Sequence, residues 1–279
     1  MKKTSNLLKV MNMNVTKFMK LTEYSAQAIS VFNEMAVSEE VYLSKKEQYY
    51  ADEEGFLTQL KEEMVDKYYP ALLFYFTRFA VDLYDTYIQM GFSEEEYLHT
   101  FCDLKTWTDM CILETGICGL RETGWLTSHM HAGIVRFGRM QFQPDTVEED
   151  IVLSNTVIKA GTSILNVHIP FGGALSVEEV SNSLARAKAH FGEKFVHAES
   201  WLLDPTLPNY LSSNSNILAF AKLFERYKVE ESNSIERFVF RVIKEDKNEY
   251  VAESSFAKKI KQALLSGEKF YSGYGVMKL

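Results

Sequence analysis

Two glycines and a capped helix carry the first chemical signal in this chain. Ile164 to Pro170 has the apolar texture of a strand. Phe171-Gly172-Gly173-Ala174-Leu175 is a tight connection, and Ser176 to Phe191 reads as an amphipathic helix. Ser176 and Glu179 have the spacing of a capping box, and Val177, Val180, Leu184, Ala187 and Phe191 form one apolar stripe. A glycine turn that feeds a helix N-terminus aims free backbone N–H groups and the positive end of the helix dipole at one point. That arrangement suits an anion such as a phosphate. The same residues also serve as a plain strand-to-helix turn that needs positive φ.

Two titratable side chains lie close to this turn in the expected fold. His168 stands at the end of the first strand. With an ordinary pKa of about 6.5 it could take a proton from an ammonium, or it could be a core histidine bonded to a backbone carbonyl. Glu199 lies in Phe195–Leu203, read as the neighbouring strand. A carboxylate inside such an apolar run needs a partner or a function, because burying an unpaired charge is costly. It is the general-base candidate, with a structural ion pair as the competing reading.

Other groups carry less. His129-Met130-His131 would put two imidazoles on one face of a strand, but no carboxylate or cysteine is near in sequence, so no metal site is expected. Ser183 and Ser200 lack the Gly-x-Ser-x-Gly setting of a serine hydrolase. Asp204-Pro205 reads as a turn that stops a strand, and Trp201 as core or a cleft wall. Cys102, Cys111 and Cys118 are three in number and show no C-x-x-C spacing, which fits reduced thiols.

The 279 residues suit two domains, and 46% apolar content supports a sizeable core. A net charge of −8 and a pI near 5.4 argue against a nucleic-acid binder that works through phosphate contacts. Met1-Lys2-Lys3 is basic, but no apolar stretch follows it, so no secretory signal is expected. The most apolar window, Pro70 to Val81, contains Arg78 and is too short to span a bilayer. A soluble cytoplasmic protein is expected.

The elements that must position these groups fall in two textures. Up to about residue 120 the spacing is helical. Thr22 is read as the cap of a helix through Ile29, Phe32 and Met35. Ser38-Glu39-Glu40 and Asp52-Glu53-Glu54 open two more, and Pro70 opens or kinks another that ends at Gly91. Ser93 and Glu96 form a capping box for a helix through Phe101, Trp107 and Cys111. After Gly116 and Gly119 the pattern alternates. Val135–Phe142 reads as one strand, Val157–Thr162 as a strand or turn, and Asn216–Tyr227 as a second helix. Val229–Ser234 is expected to be a loop, Phe238–Val242 a strand, Phe256–Leu264 a helix and Tyr274–Leu279 a last strand.

From the strand at Ile164 onward, this order is similar to the GNAT acetyltransferase fold. The whole chain resembles a bacterial acyltransferase family with a helical N-terminal domain and a GNAT-like C-terminal domain. The residues that carry the likeness are His168-Ile169-Pro170, Ser183-Leu184, Ser200-Trp201-Leu202-Leu203-Asp204-Pro205 and Ser215-Asn216-Ile217. The resemblance implies an α+β fold, helical over 1–120 and GNAT-like over 121–279. It implies acyl transfer from acetyl-CoA or another acyl-CoA to a small-molecule amine or peptide acceptor, with no nucleic acid and no membrane involved. In the GNAT fold the strand before the turn and the strand after the helix splay apart. The pantetheine arm lies in the gap and the pyrophosphate at the helix N-terminus. Val167, Ile169, Gly172, Gly173, Ala174, Leu175, Ser176 and Asn216 are the implied CoA-binding residues, and Glu199, His168 and Tyr227 the implied catalytic ones.

Two departures from the GNAT pattern matter. The motif Gln/Arg-x-x-Gly-x-Gly/Ala has Ile169 or Pro170 where its Gln or Arg belongs. Phe224 stands at the place of a Tyr that protonates the leaving thiolate, and Tyr227, nearly one helical turn on, is the substitute. These departures favour an alternative, a non-catalytic GNAT-like domain that senses a ligand or binds a partner.

Overall fold

The computed structural model describes residues 13–279, so Met1-Lys2-Lys3 lies outside the described residues. Among the described residues eight α-helices come first: α1 (Val15–Leu21), α2 (Ala26–Glu34), α3 (Glu39–Ala51), α4 (Glu53–Glu63), α5 (Tyr68–Asp82), α6 (Tyr84–Gln89), α7 (Glu94–Thr115) and α8 (Thr123–Met130). Their starts follow local chemistry. Ser38 and Asp52 cap α3 and α4, and Ser93 and Glu96 form the reciprocal box that opens α7. Thr22 closes α1, where its hydroxyl bonds the Phe18 carbonyl, and Ser25 caps α2 instead.

The centre of this half is α5, buried almost without interruption from Ala71 to Ala80. Tyr49 stacks on Phe79 with ring centroids 4.9 Å apart, and Phe56 and Phe76 meet it edge-on. Gly119 lets the chain leaving α7 lie against α5. A Cβ there would fall 2.4 Å from the Tyr69 backbone carbon, where Leu120 N–H bonds the Tyr69 carbonyl.

The second half runs β1 (Val135–Phe137), β2 (Met140–Thr146), β3 (Ile151–Val152), β4 (Val157–Ile158), β5 (Ser163–His168), α9 (Val177–Phe191), β6 (Phe195–Ser200), α10 (Asn216–Ala221), β7 (Glu225–Glu231), α11 (Ser234–Phe240), α12 (Ser255–Leu265) and β8 (Tyr271–Lys278). Six strands form one sheet in the order β1-β2-β5-β6-β8-β7, and β3-β4 is a separate hairpin. Every neighbouring pair of the main sheet is antiparallel except β5 and β6. That pair is joined through α9, as a parallel connection requires.

The β5–β6 pair positions the site. It is in register at Ile164↔Phe195, Leu165↔Val196 and Asn166↔His197, and there the pairing stops. Beyond that rung β5 stays paired with β2 through Gln141↔His168, and β6 with β8 through Ser200↔Gly273. The two strands part while each remains anchored on its outer side.

Several elements differ from the sequence reading. Val135–Phe142 is a hairpin, not one strand, because Gly138 takes φ 58° and turns the chain. His129 and His131 end a helix, so they do not share a strand face. The second helix stops at Ala221, and Tyr227 lies on β7, together with the first half of the stretch expected to be a loop. Phe238 and Phe240 belong to α11. The strand from Phe195 ends at Ser200, and Trp201–Leu203 form a 3-10 turn.

Candidate active site

A cleft of about 530 Å³ opens where β5 and β6 part. One wall is β5 and the following turn, with Val167, His168, Ile169, Gly172, Gly173 and Leu175. A second is the end of β6, with Glu199 and Ser200. The third comes from the helical half, with Asp103, Trp107 and Trp125. Helix α11 reaches across the opening. Arg237 Nη2 lies 2.5 Å from Glu122 Oε2, and its guanidinium sits 5.0 Å from the Trp107 ring centre. Phe238 packs on Phe171 at 5.0 Å between ring centroids.

The turn has the properties of an anion seat. Gly172 and Gly173 have φ of 82° and 69°, which a side chain with a Cβ adopts only at a cost. Among the described residues, no acceptor meets the backbone N–H groups of Gly172, Gly173, Ala174 and Leu175. Behind them lies a residue the sequence reading did not single out. Arg139, 9% exposed, sends Nη1 to the Pro170 carbonyl at 2.8 Å and Nε to the Ala174 carbonyl at 3.2 Å. Its own backbone N–H bonds Ser183 Oγ at 3.0 Å, which ties the β1–β2 turn to α9. No carboxylate pairs with it among the described residues. Burial pulls its pKa down, yet a guanidinium stays charged. Positive charge therefore stands beneath the glycine turn, although no Gln or Arg precedes the glycines in sequence.

His168 Nε2 lies 3.0 Å from Gln143 Oε1, and the Trp125 ring meets the imidazole edge-on at 4.6 Å. Burial, reinforced by His129 and then His197, pushes its pKa down to about 4, against the pull of Asp103 and Asp145. The ring is neutral at pH 7. Glu199 is exposed at the cleft, so it is a solvated carboxylate and not the buried one the apolar run implied.

A buried polar cluster backs the helical wall. Asp103 Oδ2 accepts from Trp125 Nε1 and Gln141 Nε2, each at 3.0 Å, and His129 Nε2 lies 3.3 Å away. Burial alone would raise the Asp103 carboxyl, but the facing His129, Gln141 and Trp125 groups outweigh it and hold the pKa below the usual range. Neither ring nitrogen of His129 makes a well-formed hydrogen bond.

The cleft thus gathers His168, Glu199, Val167, Ile169, Gly172, Gly173 and Leu175. Ala174 contributes its carbonyl to Arg139, and Ser176 caps α9 while its hydroxyl donates to Glu179 at 2.8 Å. Asn216 is exposed at the start of α10 and does not line the cleft, whereas Ile217 does. Tyr227 is also away from it, its hydroxyl 3.0 Å from His197 Nε2. Arg139, Asp103, Gln141 and Trp125 escaped the sequence reading because only tertiary packing brings them here. The one local signal was Gly138, which announces a turn before Arg139.

A family model described as an N-acyltransferase N-terminal domain matches residues 13–132, and one described as a GNAT-like C-terminal domain matches 134–277. The chain belongs to this N-acyltransferase family. Solved structures agree in fold. An acyltransferase in complex with decanoyl-CoA is 21% identical, with TM-score 0.75 over 95% of this chain and 87% of that one. The acyltransferase in complex with decanoyl-CoA and teicoplanin is 21% identical, with TM-score 0.72 over the same shares. An acyltransferase mutant in complex with octanoyl-CoA is 20% identical, with TM-score 0.73 over 95% of this chain and 87% of that one. No curated protein matches the sequence. The two family models meet just after α8, where the helical texture of this N-acyltransferase gives way to strands.

Proposed function

We propose that this protein transfers an acyl group from acyl-CoA to a primary amine on a small molecule or peptide. One observation carries the reading: β5 and β6 part beside a glycine turn whose N–H groups are free and whose underside holds the unpaired Arg139 guanidinium. The pyrophosphate of CoA would sit on Gly172, Gly173, Ala174, Leu175 and Ser176, with Arg139 behind. The pantetheine arm would run along Val167 and Ile169. Leu175, Leu202 and Ile217 give the cleft an apolar side that suits an aliphatic acyl chain, such as those in the decanoyl-CoA and octanoyl-CoA complexes of the similar structures.

The chemistry asks for a base and for charge stabilisation. An ammonium has no lone pair, so it must lose a proton before it attacks the thioester carbonyl. Glu199 or His168 would take that proton, directly or through water. Backbone N–H groups near Val167 and His168 would face the oxygen that turns negative in the tetrahedral intermediate. Its collapse expels the CoA thiolate; of the two protons the nitrogen has shed, one passes from the base to the thiolate through water and the other leaves to solvent. Tyr227 has no part in this reading, because its hydroxyl is engaged with His197.

Among the described residues no helix is long and apolar enough to cross a membrane, and a cytoplasmic setting, where acyl-CoA is available, fits the reading. Thermal denaturation with acetyl-, octanoyl- and decanoyl-CoA tests it. A bound ligand at 100 times its dissociation constant adds about 2.7 kcal/mol and a clear rise in Tm. No shift with any of the three at millimolar concentration would overturn acyl transfer and favour a sensing module.

A further inference from the structure

The imidazole of His168 has two nitrogens, and only one of them is engaged. Nε2 faces Gln143 Oε1 at 3.0 Å, and the amide nitrogen of Gln143 donates to Ser128 Oγ, also at 3.0 Å. In this arrangement the amide nitrogen points at Ser128 and the amide oxygen is the end that faces the ring. A carbonyl oxygen can only accept, so Nε2 must carry the hydrogen. A neutral imidazole then has its one free lone pair on Nδ1. Among the described residues nothing bonds Nδ1.

The setting holds this arrangement in place. Gln143 stands opposite Asn166 in the β2–β5 register, two rungs from the Gln141↔His168 pair and so on the same sheet face. Ser128 is on α8, so the helical half orients a side chain of the sheet. The Trp125 ring packs edge-on against the imidazole at 4.6 Å and opposes its rotation. The charged or titratable groups that act on His168 are Asp103 and His129 from the helical half, Asp145 from β2 and His197 from β6, and Glu199 borders the same cleft. No acid among the described residues lies within ion-pair distance of the ring.

We infer that Gln143 is a positioning residue that holds His168 as the Nε2–H tautomer, leaving Nδ1 as the atom that takes the proton of the attacking amine. The second half of this statement rests on the acyl-transfer reading, whereas the first half does not. In the step, the N–H bond of the acceptor breaks as its nitrogen bonds the thioester carbon, and the proton passes to Nδ1. On collapse it returns to the thiolate, so the ring ends as it began.

The test starts with the ligand-free protein. In protein labelled with 15N-histidine, long-range 1H–15N correlation at pH 7 should show His168 with a protonated Nε2 and a bare Nδ1, the signal being assigned by its loss in His168→Gln. A bare Nε2 with a protonated Nδ1 would overturn the proposal. Gln143→Leu removes the acceptor and should give a mixture of tautomers, with kcat lower by roughly 10–100-fold and the KM for acyl-CoA unchanged. Gln143→Glu keeps an acceptor, so it should keep the tautomer and recover activity, and its added negative charge should move the acidic limb of the kcat profile to higher pH. Equal losses in both variants with the same pH profile would make Gln143 merely structural. If the parent binds no acyl-CoA, the acyl-transfer reading fails while the tautomer is still decided by the spectrum.

Discussion

His168 and Glu199 stand on the same rung of the sheet without belonging to the same ladder. Counting two residues on from Asn166↔His197 brings them opposite each other on β5 and β6, just past the point where the strands part. Alternation puts both on one face. A substrate that enters the gap would find a neutral imidazole on one side and a solvated carboxylate on the other.

Glu199, at the mouth of the same gap, would take the ammonium's first proton and leave to His168 the one lost during attack; Glu199→Gln should then lower turnover by ~10²-fold or more, with little change in acyl-CoA affinity. The pair of measurements is kcat with a chosen amine and calorimetric binding of acyl-CoA. Unchanged turnover would leave His168 as the base.

His168 also sets a pH dependence of stability. Its folded pKa, about 4, lies below an ordinary value of about 6.5. Between these limits the unfolded chain binds a proton that the native protein does not, so stability rises with pH. It is fully present above pH 6.5 and falls as the solution is acidified to pH 4, by at most roughly 3 kcal/mol from this group. Tm measured across that window should fall steeply in the parent and less steeply in His168→Gln. Parallel curves would show that other groups govern the acid limb.

Gly173→Glu should weaken acyl-CoA binding by more than ~100-fold, which is about 2.7 kcal/mol. Bulk and negative charge would both enter the anion seat, and the new carboxylate would pair with Arg139. The positive φ costs about 1–2 kcal/mol, so the fold should survive with a lower Tm. Equal acyl-CoA affinity in the variant would put the phosphate site elsewhere.

Arg139→Gln should raise the Kd for acyl-CoA by ~10-fold or more, since a buried, charge-assisted contact to phosphate is worth roughly 1.5–3 kcal/mol. Arg139→Lys should recover part of the loss as a point charge without the fork that bonds Pro170 and Ala174. Isothermal titration of both variants checks the order. If the Gln variant binds as the parent does, the guanidinium only braces the turn.

The sequence was most legible where structure depends on neighbours along the chain. The box at Ser93/Glu96 and the Ser176 cap, which accepts from the Glu179 N–H, start the helices they announce, because each is closed by groups three residues apart. The strand before the glycines and the helix after them are equally local. Tyr227 was misplaced for the opposite reason. Phe220 and Phe224 keep helical spacing, but β8 offers an edge with which Glu225–Glu231 can pair, and pairing wins. Phe238, Phe240 and Val242 alternate like a strand, yet Ile235 is buried and Phe240 stacks on Tyr250 from within a helix. His129, read with His131 as two imidazoles on one strand face, sits instead near the end of a helix against Asp103. Of the candidate site itself, the positive-φ turn was visible in the glycines, whereas Arg139 and Gln143 acquire meaning only from what the fold sets beside them.

The bridge from Arg237 to Glu122 joins residues 115 apart in sequence, one made before the sheet begins and one after its β7 strand. The cleft is therefore finished late. A chain emerging from the ribosome can complete the helical half and even the glycine turn, yet it has no roof over the site until α11 arrives. A partly made molecule would hold its ligand poorly, and a ligand that grips both walls would select for finished copies. A ligand that touches both α11 and the helical half would therefore resist unfolding that starts at either segment.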